Sequence, residues 1–451
     1  MPKHPYLWWR KCDVEYERRH AVEEGRDVTP LAVEFENLTT PDVAEDEAFQ
    51  QRVNALMDRV AELPIRPEFP YREPSDLEGI RGERPAGPRR LELKLGDETL
   101  LDRLRGAWLG RCAGCLLGKP LEGVRTSVLW GLLADAGQDR LSDYLWRMGI
   151  REELFAKYKL AERVLNFGGS IRHMPEDDDT NYTVTALAII KKHGVGFTPA
   201  NVADFWVRNI PLMHTCTAER IAYRNFALGI APPQSASFRN PCREWIGAQI
   251  RGDFFGYLAA GRPELAAEMA WRDACISHTR NGIYGEMWVA AMLAAAPLVG
   301  DPGEVIEIGL SEVPRKSRFT EAIREVLTWR RAGLPYDEAI RRIHHRWDEK
   351  NSHDWHHTIA NARIVAVALL WGEGEFGSTI TQAVYPCFDT DCNGATAGSV
   401  EGMMLGASRI DRKWTDLMND TLHTGVAGYH VVRISDLAAQ TLRLHQETRA
   451  M

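Results

Sequence analysis

The sequence predicts an all-α protein, because helical periodicity fills most of the chain and strand-like alternation is almost absent. From about residue 99 onward, apolar residues recur at three- and four-residue steps, the spacing of one buried helix face. No repeat of about 30 to 45 residues appears, which favours one compact helical domain over a solenoid. The helical pattern is found in residues 100–117, 182–191, 201–207, 263–275, 287–298, 319–331, 336–344, 358–371 and 394–406.

Residues 1–98 form a predicted N-terminal extension, and the main helical domain is expected to span residues 99–451. Periodicity in the extension predicts two short helices, over residues 14–24 and 42–63. Thr40-Pro41 precedes the second, which is typical of a helix start. Six prolines then follow between Pro64 and Pro88 without periodicity, and they predict a proline-rich strap over the surface.

Composition excludes several classes of partner. The 451 residues carry 55 Lys+Arg and 63 Asp+Glu, and this net charge of −8 predicts no nucleic-acid partner. The longest apolar stretch, residues 288–299, contains Pro297 and is shorter than the ~20 residues of a membrane span. The first twenty residues lack the apolar core of a secretory signal, so the eight cysteines are expected to be reduced in the cytoplasm.

Two sets of glycines recur at every fourth residue. Each glycine inside a helix costs about 1 kcal/mol relative to alanine, so a stripe of them calls for an explanation. A four-residue step gives one helix face without side chains, which predicts that another backbone approaches it closely. The two ladders consist of Gly106, Gly110, Gly114 and Gly118, and of Gly394, Gly398, Gly402 and Gly406.

Two acidic segments predict a metal site. Residues 175–182 read PEDDDTNY and lead into a helical pattern, whereas residues 388–394 read FDTDCNG and open the second glycine ladder. Three adjacent aspartates repel one another and are costly to gather without a cation. A solvated acidic helix cap would give the same pattern. Clustered carboxylates suit Mg²⁺ or Mn²⁺.

Two other metal motifs fail on their spacing. The second acidic segment begins like an EF-hand loop, but its twelfth position is Val400 instead of an acid, and Glu401 comes one residue late. A terpene-synthase box would need serine and glutamate after Asn419-Asp420, where His423 and Ala427 stand. Neither motif therefore explains the acids.

The first glycine ladder and both acidic segments resemble one known family. Residues 106–122, which read GAWLGRCAGCLLGKPLE, resemble the opening helix of ADP-ribosylglycohydrolases, a family that includes the dinitrogenase-reductase-activating glycohydrolase. Residues 177–180 (DDDT) are similar to its T-D-D-T metal box and residues 389–392 (DTDC) to its D-T-D-T box. The resemblance covers roughly residues 99–435.

This resemblance implies an all-α fold around a two-metal centre that hydrolyses a ribosyl glycosidic bond, usually that of ADP-ribose on a protein side chain or small acceptor. Two Mg²⁺ ions, or Mn²⁺, would orient the sugar hydroxyls and a water. Glu122, or one of the metal-bound carboxylates of Asp178 and Asp179, would handle the proton. The implied metal ligands are Asp178, Asp179, Asp389 and Asp391, with Asp177 and Cys392 in the remaining ligand positions.

Three residues depart from the family pattern. Asp177 and Cys392 stand where the family has ligating threonines, and Cys115 replaces the aspartate of G-D-x-x-G. An additional carboxylate makes the site more negative, and a thiol is a poor partner for Mg²⁺. One metal position is therefore expected to differ in affinity or coordination.

Other polar residues are candidates for substrate contact. His278 stands in the family's substrate loop, and the neighbouring Asn281, Gly282 and Tyr284 form a turn that could line the pocket, with Tyr284 stacking on a base or sugar. Asn393 follows the second acidic box and is a further candidate. An ordinary hydrogen-bonded core role is open for His278. The histidine-rich residues 344–357 lack HExxH spacing and do not predict zinc.

Two alternatives to an ADP-ribosyl hydrolase stay open at this point. The altered boxes favour a hydrolase of simple nucleosides or small glycosides on the same fold. Cys392 also leaves room for a non-catalytic ligand-binding protein with a degraded metal site. The sequence leaves the oligomeric state open.

Overall fold

A computed structural model describes residues 4–450 and confirms the all-α class, since helices make up nearly all of the regular structure. Two short strands, Thr421–His423 (β1) and Val431–Arg433 (β2), pair antiparallel with Leu422 opposite Val432. Within residues 4–450, no helix is both long and apolar enough to cross a bilayer.

The N-terminal extension contains more helix than the sequence predicted. α1 and α3 correspond to the two predicted helices, whereas α2 and α4 were missed. α3 begins later than Thr40-Pro41 suggested, because the Asp46 carboxylate accepts the backbone N–H of Phe49 and caps the helix there. The four helices are Lys11–Glu23 (α1), Ala32–Thr39 (α2), Glu47–Glu62 (α3) and Leu77–Glu83 (α4).

Nineteen α-helices follow in residues 97–450. The first ten are Asp97–Gly118 (α5), Thr126–Asp135 (α6), Glu152–Lys157 (α7), Phe167–Ser170 (α8), Asp178–His193 (α9), Pro199–Asn209 (α10), Thr217–Ala227 (α11), Gln234–Ser237 (α12), Asp253–Leu258 (α13) and Pro263–Ala274 (α14). The others are Arg280–Ala295 (α15), Pro302–Leu310 (α16), Arg318–Arg331 (α17), Tyr336–Arg346 (α18), Ser352–His356 (α19), Thr358–Trp371 (α20), Phe376–Val384 (α21), Thr390–Leu405 (α22) and Ile434–Ala450 (α23).

Three helices run through the centre of the domain. Every residue of α20 is buried, as are all but the first residue of α15 and all but one residue of α22. A helix without a polar face must be surrounded by protein on all sides, and the other helices form that surround. The hydrophobic core therefore sits around α15, α20 and α22.

The two glycine ladders meet, as the sequence predicted. α5 and α22 lie antiparallel, so that Gly106 faces Gly402, Gly110 faces Gly398 and Gly114 faces Gly394. A Cβ atom on any glycine of these three pairs would lie under 3.0 Å from a carbonyl oxygen of the opposite helix. This contact fixes the C-terminal end of α5 beside the N-terminal end of α22.

The extension is attached to the domain through buried ion pairs. Arg243 contacts Glu17 at 2.7 Å and Glu24 at 2.8 Å, and all three side chains are nearly inaccessible to solvent. In the proline-rich strap, Glu73 pairs with Arg318 at 2.7 Å. Breaking a buried pair by removing one partner is strongly destabilising, so these contacts hold the extension in one position.

Glu401 in α22 gives the first prediction. Its side chain is buried and neither carboxyl oxygen has a hydrogen-bond partner, and burial raises its pKa to about 7. The folded protein keeps this proton between pH ~4.5 and ~7 while the unfolded chain releases it, so the wild type loses stability as the pH rises through that window. Glu401→Gln should therefore stabilise the protein by roughly 1–3 kcal/mol at pH 8 and by little at pH 4.5.

Denaturant unfolding at the two pH values measures this difference. Glu447→Gln, an exposed glutamate in α23, serves as the control and should change stability at neither pH. An equal effect of Glu401→Gln at both pH values would mean that Glu401 is not the titrating group.

Candidate active site

The first acidic segment straddles the start of α9. Asp177 is the N-cap, and its carboxylate accepts the backbone N–H of Asp179 at 3.0 Å. Its backbone oxygen accepts a hydrogen bond from the Thr180 hydroxyl at 3.1 Å. Asp178 and Asp179 occupy the first helical turn, where the helix dipole favours negative charge. The cap thus places three carboxylates around one helix end.

The second acidic segment begins α22, with Asp389 as an N-cap whose side chain makes no capping hydrogen bond and Asp391 in the first turn. The Thr390 hydroxyl donates to the Gly118 carbonyl at 2.9 Å and joins this end of α22 to the end of α5. The backbone N–H of Asp389 donates to the Asn361 side chain at 3.2 Å. The glycine contact and these hydrogen bonds determine where the Asp389 and Asp391 carboxylates lie.

The fold brings the two acidic segments together. One ligand atom each of Asp179, Asp391 and Cys392 lie within 4.8 Å of one another, and all three residues are buried. Asp177 and Asp179 form a second group of this kind with Cys115. Residues more than 200 positions apart in the sequence therefore share one cluster.

Burial and mutual repulsion make the charged state of these acids costly. Burial raises the pKa of Asp178, Asp179 and Asp391 well above the ordinary value, and neighbouring carboxylates add to the rise. Burial also raises the pKa of Asp389 to about 7. The Oδ1 atom of Asp391 is buried and has no hydrogen-bond partner. A divalent cation fits this donor set, because it would supply the missing partner and the missing charge.

Two basic residues that the sequence analysis did not assign to the site neutralise part of the charge. Arg111 is fully buried and contacts Asp179 at 3.0 Å and Asp253 at 2.9 Å. Lys119 forms an ion pair with the Oδ2 atom of Asp177. Both oxygens of Asp177 are therefore engaged, one by Lys119 and one by the Asp179 N–H. The sequence signal for Arg111 was a single charge in an otherwise uncharged stretch of the glycine helix.

Of the aspartates in the two acidic segments, all but Asp179 line a pocket of about 410 Å³. A second cleft of about 730 Å³ adjoins it, and the two share Lys119, Glu122 and Trp355. Glu122 reaches solvent through this boundary, while the surrounding protein and the charge of Asp177 raise its pKa. The pocket is lined by Lys119, Glu122, Glu176, Asp177, Asp178, Asn181, Met213, His214, Cys216, Thr217, Glu219, Ile246, Gly247, Ile250, Trp355, His356, Asp389, Asp391 and Cys392.

Four predicted substrate residues do not line this pocket, and their placement is corrected. The first turns of α15 are buried beneath the strap, where the Tyr284 hydroxyl donates to the Pro74 carbonyl. Asn281 donates to Glu244 at 2.7 Å, and a Cβ on Gly282 would lie 2.7 Å from the Arg243 carbonyl. His278 is fully buried, with its Nδ1 at 2.8 Å from the Ser277 hydroxyl and its Nε2 without a hydrogen-bond partner.

Asn393 is also absent from the pocket lining. It is fully buried, and its side-chain amide donates to Asn361 at 2.8 Å. Asn361 in turn accepts the backbone N–H of Asp389. The prediction of substrate contact is thus corrected to a supporting position behind the N-terminus of α22.

Among the histidines of residues 344–357, His356 alone lines the pocket. His353 and His357 instead meet Glu23 of α1 at 3.0 Å and 3.4 Å. Their Nδ1 atoms accept hydrogen bonds, from Trp245 Nε1 and from the backbone N–H of Ile359 respectively. In the neutral tautomer each Nε2 then carries the proton; the Nε2 of His353 donates to Glu23, whereas the Nε2 of His357 has no hydrogen-bond partner.

Comparison with known proteins adds the family. A family model described as ADP-ribosylglycohydrolase matches residues 96–450. A solved structure described as an ADP-ribosylglycohydrolase-related protein complex is similar over 77% of this chain and 99% of that chain, with 19% sequence identity and a TM-score of 0.47. No curated protein matches. The family match includes both glycine helices and both acidic segments.

Proposed function

Because the chain belongs to the ADP-ribosylglycohydrolase family, we propose that it hydrolyses a ribosyl glycosidic bond at the acidic pocket with the help of divalent metal. The observation that carries this proposal is that buried carboxylate oxygens of Asp179 and Asp391 lie within 4.8 Å of each other, and that Asp391 lines an open pocket. Negative charge beside a sugar is what an oxocarbenium-like transition state requires.

The residues that would hold two divalent ions are Asp178, Asp179, Asp389 and Asp391. A set of carboxylate ligands favours Mg²⁺ or Mn²⁺. A bound divalent ion supplies Lewis acidity and a template for hydroxyl groups and water. We do not assign Asp177 as a metal ligand, because both its carboxylate oxygens already have hydrogen-bond partners. It caps α9 and anchors Lys119 beside the pocket.

Glu122 is the residue we assign to proton transfer. It follows the short turn Lys119–Leu121 at the end of the glycine helix and lies where the two cavities join. Its raised pKa favours the protonated form, which a donor to a leaving group needs. The ribose would occupy the acidic pocket, with its glycosidic bond beside Glu122.

The adjoining cleft supports a substrate larger than a simple glycoside. It adds about 730 Å³ beside the acidic pocket and carries Phe167 and Trp355, which offer aromatic surface, with Arg163 as a cation. An ADP-ribosyl group combines a base, a diphosphate and a ribose, and these features would receive its parts. We infer a cytoplasmic enzyme, because all eight thiols are free.

A specific observation keeps simple nucleosides as a second candidate. Lys119, which lines the acidic pocket, is already paired with Asp177. A diphosphate would have to compete for that ammonium group, whereas an uncharged nucleoside would not.

The test is hydrolysis of ADP-ribosylated protein and of nucleosides by the full chain, with chelator or with added Mg²⁺, Mn²⁺ or Zn²⁺. We expect metal-dependent release of ADP-ribose, and Glu122→Gln should lower turnover at least about 100-fold. Glu152→Gln, an exposed glutamate in α7, is the control and should keep full turnover. Release of free ribose alone would select the nucleoside candidate. No turnover of any substrate with any metal would identify a non-catalytic protein.

A further inference from the structure

The candidate metal cluster contains a thiol as well as carboxylates. Cys392 is 6% exposed, and its Sγ atom lies within 4.8 Å of ligand oxygens of Asp179 and Asp391. We propose that Cys392 is a metal ligand and that this position binds an ion of the Zn²⁺ class in preference to Mg²⁺. The inference rests on the proposed function in that it concerns the same pocket.

The backbone holds the thiol and the carboxylates in a fixed relation. Cys392 follows Asp391 in the first turn of α22, and the glycine contact with α5 fixes that end of the helix. Asp179 belongs to α9 and is oriented from behind by Arg111, which contacts its Oδ1 atom at 3.0 Å. Outer residues that orient ligands in this way are a regular part of metal sites.

An independent observation points to a cation at this position. The Asp391 side chain is 3% exposed, and its Oδ1 atom is buried without a hydrogen-bond partner. A buried carboxylate oxygen left without a partner is costly. An ion bound jointly by Asp391, Asp179 and Cys392 would give that oxygen its partner.

The donor set decides between the two kinds of ion. Mg²⁺ takes oxygen ligands in octahedral geometry and keeps several waters, so a sulfur ligand does not suit it. Zn²⁺ binds both thiolate and carboxylate, and its catalytic sites have three protein ligands and one open position. Asp179, Asp391 and Cys392 provide three ligands, of which Asp391 and Cys392 line an open pocket.

Burial of a thiol does not by itself place it in the candidate metal cluster. Cys112, on the same helix as Cys115, is fully buried but belongs to no group of clustered ligand atoms among the described residues. Cys216 lines the pocket and likewise stands outside those groups. These two cysteines are therefore matched controls for Cys392.

The experiment titrates Co²⁺, a spectroscopic substitute for Zn²⁺, into the reduced, chelator-treated full chain without substrate. The wild type should develop the near-ultraviolet thiolate-to-cobalt charge-transfer band. Cys392→Thr should lose the band and bind Zn²⁺ about 100-fold more weakly or worse, because the loss of outer partners alone costs 10–100-fold. Cys112→Ala and Cys216→Ser should keep both the band and the affinity.

Three results would overturn the proposal: no Co²⁺ binding, Co²⁺ binding without the band, or a band that survives in Cys392→Thr. Because the spectrum needs no substrate, it separates this inference from the proposed function. A protein that gives the band and hydrolyses no glycoside keeps the metal assignment and loses the function. A protein that hydrolyses its substrate with Mg²⁺ and gives no band does the reverse.

Discussion

Asp391→Asn is expected to lower the rate of glycoside hydrolysis about 100- to 1,000-fold, the range seen when a single stabiliser of a charged transition state is removed. The substitution keeps the size of the side chain and removes the charge that faces Asp179 across the cluster. An amide oxygen is also a weaker ligand for a divalent ion. Turnover at saturating metal and substrate measures the effect.

The fold should survive this change. Burial raises the pKa of Asp391 well above its ordinary value, so the charged side chain is a cost to the metal-free protein. Metal-free Asp391→Asn should therefore be at least as stable as the wild type at pH 8. Asp436→Asn, an exposed aspartate in the first turn of α23, is the matched control and should keep full turnover. If Asp391→Asn also kept full turnover, Asp391 would have no part in the reaction.

Gly114→Ala is expected to lower the free energy of unfolding by more than about 3 kcal/mol, the upper range for overpacking in a core. The new Cβ would overlap the backbone carbonyl of Gly394, and its next contact is the Ala395 nitrogen at 3.1 Å. Backbone atoms of a buried helix cannot rotate away as a side chain can. α5 and α22 would have to separate, and the acidic ends that they carry would separate with them.

The control is a helical glycine in open space. A Cβ on Gly82 in α4 would meet nothing within 4 Å, so Gly82→Ala should be neutral or stabilising by about 0.4–1 kcal/mol. Denaturant unfolding of both variants decides the matter. Equal stability of Gly114→Ala and Gly82→Ala would contradict the close contact between the ladders.

The structure explains why the sequence located the acids but not all of their surroundings. Glycines at every fourth position report a backbone contact directly, because nothing else explains four missing side chains on one face. Because the second ladder begins shortly after Asp391, the predicted contact between the ladders also predicted where Asp391 lies. Asp177 was visible for a similar local reason, since a polar residue before a helical pattern is the usual N-cap.

Residues whose role depends on distant contacts could not be found in this way. The turn at His278 and Tyr284 has the composition of a pocket wall, but the strap around Pro74 covers it. Lys119 pairs with Asp177, 58 positions away, and local periodicity carries no information on such pairs. The extension's extra helices were missed because α2 and α4, of 8 and 7 residues, are too short for a clear helical period.

The most direct test is anomalous X-ray diffraction from crystals of the full chain soaked in Mn²⁺ or Zn²⁺. An anomalous peak should lie between the N-termini of α9 and α22, at about 2.0–2.2 Å from carboxylate oxygens of Asp179 and Asp391. Peaks only at other positions, with these carboxylates free of metal, would contradict a metal-dependent site at the meeting point of the two acidic segments.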